Sequence, residues 1–235
     1  MKIALASARF VNRDLKHNLT QMERFMRLAR SQGAELVCFG EAFLQGFDAF
    51  VWDYSADRPL AVSVGDEVFH QLRRLTLEIG IDLLFGFLES DGDRLYSACA
   101  LISKGEVLHS YRRITRGWKE TTKADEHYCE GSAVIPFFYH GLTCVIALCG
   151  DLWEEPQRFA LGQDVLFWPV YIDYSPEEWQ RNACEEYARQ AASVCSQTLL
   201  INSINTANGG CVFFQHGQVA AELPMGKENL LIVDL

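Results

Sequence analysis

Cys144-Val145-Ile146-Ala147-Leu148-Cys149-Gly150-Asp151-Leu152-Trp153 governs how the rest of this chain is read. Residues 145–148 are an apolar run rich in strand formers. The run stops at Cys149-Gly150-Asp151, and a helical pattern is expected from Glu154-Glu155-Pro156. A cysteine at the end of a buried strand, just before a helix, can meet a substrate at the sheet edge. A helix N-terminus also favours the thiolate. The plainer reading is a core thiol, because free cysteine is among the most buried residue types. Cys144, inside the strand pattern, fits that plainer reading.

Upstream, residues 2–8 read as a strand. Leu15, Leu19, Met22, Met26 and Ala29 then recur at helical spacing, which predicts a helix over about 14–32 that ends at Gly33. Residues 35–39 form a short apolar strand, so this is a strand–helix–strand unit and a partly parallel sheet is expected. Residues 43–59 are irregular and aromatic. A helix over 67–79, a strand over 82–89 and a hairpin over 95–103 and 106–113 follow. Residues 114–131 are polar and irregular. Strands over 133–138 and 142–148 make a hairpin that delivers Cys149.

Downstream, a strand is expected over 164–170. Ser175-Pro176-Glu177-Glu178 then opens a helix to about residue 196, with Ser175 as cap, Pro176 in the first position and Glu178 completing a capping box. Strands over 198–202, 210–215, 218–222 and 230–235 close the pattern. No linker, repeat or low-complexity segment interrupts it, which predicts one domain over 1–235.

Totals narrow the function. The chain has 235 residues, of which 49% are hydrophobic, and a formal net charge of −10. That acidity argues against nucleic acid or an anionic membrane as partner. No apolar run approaches the roughly 20 residues of a membrane span. Residues 3–6 are too few for a signal-peptide core, so none is expected. The eight cysteines include no C-x-x-C pair, which leaves zinc-knuckle and thioredoxin-like motifs unsupported and suits a reducing cytoplasm. Gly-x-Gly-x-x-Gly, P-loop and His-rich metal patterns are missing, and no cofactor is expected.

The strand over 35–39 runs into Phe39-Gly40-Glu41-Ala42-Phe43-Leu44-Gln45-Gly46-Phe47. A carboxylate between apolar neighbours at a strand end is costly to bury unless it has a partner or a task, such as general base. An exposed loop glutamate is the alternative. Together, Glu41 in this stretch and Cys149-Gly150-Asp151-Leu152-Trp153 with Glu155-Pro156 resemble the carbon–nitrogen hydrolase family, the nitrilase superfamily of amidases. That family shows Pro-Glu, where this chain has Gly40-Glu41, followed by aromatic–Leu–x–Gly–aromatic, then Cys-x-Asp-x-aromatic with an acidic residue and Pro after it, in the same order.

The resemblance implies an α/β fold, an α-β-β-α sandwich with mixed sheets, and a Glu–Lys–Cys triad. It implies a cysteine that attacks a small carboxamide-type substrate through a thioester, with Glu41 as base and a lysine stabilising the oxyanion. It also implies a homodimer or higher homo-oligomer. Amidase, nitrilase, carbamoylase and acyl transfer stay open, as does a silent relative that binds a ligand or partner.

The lysine is where the sequence departs from the family. The family shows Tyr-Arg-Lys; here it is Tyr111-Arg112-Arg113, and the next lysine is Lys119, in Gly117-Trp118-Lys119-Glu120. Arginine is not equivalent to lysine. Lys119 is expected to fold back into the lysine's place, with Arg113 as the alternative occupant. Glu126, with Glu120 in reserve, is expected as the family's supporting acid. Trp118, Trp153 and Tyr171 are expected to shape the substrate pocket, and core packing is the competing reading for these aromatics. A papain-like cysteine would need a histidine partner, and the one downstream, His216, sits in a turn.

Overall fold

The computed structural model describes residues 1–235. In chain order the elements are β1 (Lys2–Ser7), α1 (Leu15–Ser31), β2 (Leu36–Cys38), α2 (Tyr54–Asp57), α3 (Glu67–Ile79), β3 (Asp82–Asp91), β4 (Arg94–Ser103) and β5 (Glu106–Arg112). Then come β6 (Phe137–Tyr139), β7 (Leu142–Ile146), α4 (Asp151–Glu154) and β8 (Val165–Val170). Next, α5 (Pro176–Glu178) passes through a π-helical turn (Trp179–Ala183) into α6 (Cys184–Ala192), followed by β9 (Gln197–Asn202), β10 (Cys211–Gln215), β11 (Gln218–Leu223) and β12 (Asn229–Asp234).

Two six-stranded sheets result, ordered β12-β1-β2-β3-β4-β5 and β11-β10-β9-β8-β7-β6. Each holds three parallel strands at its centre, β1-β2-β3 and β7-β8-β9, and antiparallel strands outside them. The period-2 side-chain alternation of β1 explains the layering. Ile3 and Leu5 pack into the core shared with the second sheet, while Ala4 and Ala6 pack toward Met22, Phe25 and Met26 of α1 and Phe69 and Leu72 of α3. On the second sheet, Trp179, Tyr187, Ala188 and Ala191 supply the helical cover. This is the expected α-β-β-α sandwich with mixed sheets.

Local departures from the sequence reading have local causes. The helix expected after Glu154 is only the four-residue α4 plus a 3-10 turn over Pro156–Arg158. Glu155 breaks it at φ −136° and ψ 50°, because the residue before a proline is pushed out of the α region. The strand expected over 133–138 pairs only at Phe137–Tyr139. Residues before it are held by single bonds instead: Gly131 N–H donates to Arg113 O, and Arg158 Nη2 donates to Ser132 O. The capping box at Ser175 and Glu178 forms as read. The helix α2 was not anticipated; Asp53 caps it by accepting from Ser55 N–H and Ala56 N–H. No helix is long and apolar enough to cross a membrane.

Candidate active site

Glu41 and Cys149 come together because both hang on the C-terminal end of β8. Glu41 N–H donates to Val170 O at 3.4 Å and Cys149 N–H to Pro169 O at 3.0 Å. Glu41 is 1% exposed. Its segment crosses β3 so closely that a Cβ on Gly86 would lie 2.5 Å from Ala42 N. Only glycine permits that approach, and Gly86 uses it: its N–H donates to Gly40 O and its carbonyl accepts from Leu44 N–H, both at 3.2 Å.

Cys149 occupies a sharp turn with φ +42°, and Ala42, next to Glu41, has φ +49°. Left-handed backbone is uncommon for residues with a Cβ and gathers at functional sites. Asp151 fastens the Cys149 turn. It is fully buried and accepts from Leu148 N–H (2.9 Å), Tyr111 Oη (2.6 Å), Thr115 Oγ1 (2.9 Å) and the N–H groups of Ile114 and Thr115. One carboxylate therefore ties the cysteine turn to the chain leaving β5. Burial pushes its own pKa up, while Arg113 and these donors oppose that.

Arg113 is the cation at this centre. It is 2% exposed. Its Nη1 donates to Glu41 Oε1 at 3.0 Å and its Nε to Thr115 Oγ1 at 3.0 Å, with Nη2 3.8 Å from Glu154 Oε1. Burial would lower its pKa, but Glu41, then Cys149 and Asp151, raise it, so it keeps its charge. Two glycines leave space for the guanidinium. A Cβ on Gly150 would collide with Arg113 Nη2, and one on Gly117 would lie 3.1 Å from it.

The Cys149 thiol is pushed up to about 12, first by burial and then by Glu41, against the opposing pull of Arg113. Its Sγ lies 4.0 Å from Tyr171 O. Glu41 Oε1 accepts from Ser97 Oγ at 3.2 Å as well as from Arg113, whereas Glu41 Oε2 is buried without a hydrogen-bond partner. The centre thus holds a buried thiol, a buried cation and a carboxylate oxygen without a hydrogen-bond partner.

Lys119 is elsewhere, which corrects the expectation that it folds back to Glu41. Its Nζ donates to Tyr128 O at 2.5 Å and pairs with Glu130 at 2.6 Å. The reason is register. Arg113 follows directly on β5 and its N–H donates to Ser97 O on β4, so the strand itself carries it to Glu41. Lys119 follows the 3-10 turn Arg116–Trp118 in extended backbone, and its side chain is held by Tyr128 O and Glu130 instead.

Glu126 and Glu120 are exposed and pair with neither Arg113 nor Lys119. Besides Glu41, the acids beside the two cations are Glu154, near Arg113, and Glu130, paired with Lys119; the sequence reading missed both. Trp153 is 43% exposed and packs against Trp168 and Tyr187, and Trp168 Nε1 in turn donates to Cys149 O at 2.9 Å. Tyr171 stacks on Phe47 with ring centroids 4.5 Å apart, its hydroxyl 2.8 Å from Thr206 Oγ1. Trp118 does join Glu41, in a narrow void also lined by Ala42, Phe47, Phe50, Trp52, Leu88 and Ser97. No group of three or more His, Cys, Asp or Glu is arranged to hold a metal ion. Cys144 is fully buried, as read.

Residues 2–235 match the carbon-nitrogen hydrolase family, and the chain belongs to it. Among its relatives, the arylacetone-specific nitrilase of Alcaligenes faecalis is 26% identical over an alignment of 277 positions, covering 100% of this chain and 76% of that protein. The glutamine-dependent NAD(+) synthetase of Thermotoga maritima is 26% identical over 171 residues, covering 70% of this chain but only 28% of the synthetase. A cyanide hydratase of Leptosphaeria maculans is 32% identical over 167 residues, covering 63% of this chain and 45% of that protein. This chain therefore spans less than half the length of two of these three relatives. A solved structure of the amidase from Nesterenkonia sp. AN1, with acrylamide added at its active-site cysteine, superposes with a TM-score of 0.81 at 23% identity and covers 100% of this chain and 93% of that one. At that identity the likeness is one of fold.

Proposed function

We propose that this protein hydrolyses a C–N bond of a small carboxamide-type substrate through a thioester on Cys149, with Glu41 as general base and Arg113 as the cation. The observation that carries this reading is the buried Arg113–Glu41 pair beside the Cys149 turn. As the thiol sulfur bonds to the amide carbon, its proton passes to Glu41 Oε2. The negative charge that develops on the carbonyl oxygen is met by Arg113 and by the Gly150 N–H beside it. Such pre-placed charge is commonly the largest catalytic contribution. The C–N bond then breaks and the leaving amine takes the proton from Glu41. Glu41 next takes a proton from water, whose oxygen attacks the thioester carbon, and the Cys149 thiol leaves with that proton. Arginine suits a charge-stabilising role but not proton donation, since it stays charged at any working pH. Glutamate therefore carries every proton in this scheme.

Burial favours a second reading, a binding module with an inert thiol: enclosure and then Glu41 push Cys149 up to about 12. A panel of amides, carbamoyl compounds and nitriles separates the two. Hydrolysis releases ammonia or amine and is abolished in Cys149→Ala, with an acyl mass on Cys149 trapped from a reactive amide or ester. A thiol that acquires no acyl group from any of these compounds contradicts the enzyme reading.

A further inference from the structure

Thr115 bonds both to the cation and to the acid that ties down the cysteine turn. It is 2% exposed, and its hydroxyl is used twice: Oγ1 donates to Asp151 Oδ1 at 2.9 Å and accepts from Arg113 Nε at 3.0 Å. A hydroxyl has one proton and two lone pairs. Asp151 Oδ1 also accepts from the N–H groups of Ile114 and Thr115, so it is the acceptor in the bond to Oγ1 as well. With its proton committed there, Thr115 Oγ1 can offer Arg113 only a lone pair. The direction of the Thr115–Arg113 bond is therefore fixed.

A guanidinium is one rigid plane. Glu41 Oε1 holds it at Nη1 and Thr115 Oγ1 holds it at Nε, both at 3.0 Å. A single bond would leave the plane free to pivot about Nη1, and the second bond stops that pivot. Nη2 is left, 3.8 Å from Glu154 Oε1 and so beyond hydrogen-bond reach. Glu154 has a side chain 45% exposed, and a pair of that kind contributes little to holding a partner. Nη2 lies against Gly150, where a Cβ would collide with it, and Gly150 follows Cys149 directly.

We infer that Thr115 is a positioning residue whose hydroxyl aims Arg113, so that Nη2 faces the oxygen of a substrate bonded to Cys149. The inference rests on the hydrolase reading above for that substrate. The bond belongs to arginine: Nε is a donor set back from the tip of the side chain, whereas a lysine ends in its only donor group. The hydroxyl is not what holds the cysteine turn. Asp151 keeps Leu148 N–H, Tyr111 Oη and the backbone N–H groups of Ile114 and Thr115 whatever side chain stands at position 115.

Thr115→Val, which keeps the shape and removes the hydroxyl, tests this beside Thr115→Ser, which keeps the hydroxyl. Thr115→Ala supplies the same comparison if the valine variant does not fold. The first readout needs no turnover: the pH at which iodoacetamide begins to alkylate Cys149, followed by peptide mass spectrometry. Arg113 favours the Cys149 thiolate, so a guanidinium that swings away should move the onset to higher pH in Thr115→Val and not in Thr115→Ser. The second readout is turnover of an amide that the wild type hydrolyses. Charge met only in the transition state sets kcat rather than KM, so kcat should fall roughly 10–100-fold in Thr115→Val with KM little changed, and Thr115→Ser should restore most of it. An onset that stays put or moves to lower pH in the folded variant overturns the inference. So does an unchanged kcat, or a loss in Thr115→Ser equal to that in Thr115→Val. Failure of the hydrolase reading shows separately, as a wild type that turns over no amide, while the alkylation onset still reports on the aim of Arg113.

Discussion

Glu41 and Cys149 stand at the ends of strands paired in parallel on at least one side, each in a tight turn with left-handed backbone at or beside it. Residues 114–131, which lie between them in sequence, contain one 3-10 turn and no strand. The two regions are ordered by different means. The strand ends are fixed by ladders and by two donations to neighbouring carbonyls on β8. The connecting segment is fixed by side chains: Asp151 and Asp57 reach far along the chain to Thr115 and Tyr128, and Glu130 pairs with Lys119 within the segment. A group carried on a strand end inherits its position from the sheet, while one carried on such a segment takes its position from the side chains that pair with it.

The strongest test of this contrast acts on the strand-end pair. Glu41→Gln should lower turnover by about 10³-fold or more, as loss of a base that activates a nucleophile does. The same change removes the negative charge that helps hold the Cys149 thiol near 12 and leaves Arg113 pulling it down. Alkylation of Cys149 by iodoacetamide should therefore set in at lower pH in Glu41→Gln than in the wild type. An unchanged alkylation profile would mean that the carboxylate does not face the thiol.

A smaller effect is expected from Gly150→Ala. The new methyl group would press on Arg113 Nη2 and sit 3.1 Å from Glu154 Oε1. Overpacking of this kind costs about 1–3 kcal/mol, and displacement of the cation should cut kcat more than it raises KM. A drop in melting temperature with kcat intact would separate stability from catalysis at this glycine.

The smallest effect is on stability against pH. Cys144, Cys149 and Cys211 are each pushed up to about 12, in every case first by burial. An unfolded thiol ionises near 8.5. Above that pH the unfolded chain releases protons that the folded chain retains, so stability is full below pH ~8.5 and falls as pH rises toward 12. Thermal melts from pH 8 to 11 should show a declining melting temperature, and Cys144→Ala should lessen the decline.

How much of this was legible in the sequence follows from the same contrast. The strands, α1, α3 and the capped helix at Ser175 announce themselves through local periodicity and turn residues, and Glu41 and Cys149 each lie inside a recognisable local pattern. Gly86, Gly117 and Gly150 carry a weaker signal, since their need for hydrogen in place of a side chain is set by Ala42 and Arg113, which are distant in sequence. The choice between Arg113 and Lys119 was not legible from charge or neighbours. It follows from the β4–β5 register, in which Arg112 pairs with Ala98 and the next residue is delivered to Glu41. Glu154 was hidden by the expected longer helix.

The central claim is that a strand-delivered arginine is the cation of a Cys149–Glu41 hydrolase centre. Its most direct test is kcat/KM of Arg113→Ala and Lys119→Ala, side by side, on an amide that the wild type hydrolyses with release of ammonia. Arg113→Ala should lose about 10²–10³-fold, the usual cost of removing one oxyanion-stabilising group. Lys119→Ala, which breaks a partly exposed pair with Glu130, should stay within about tenfold of wild type. Retained activity in Arg113→Ala together with its loss in Lys119→Ala would contradict the account.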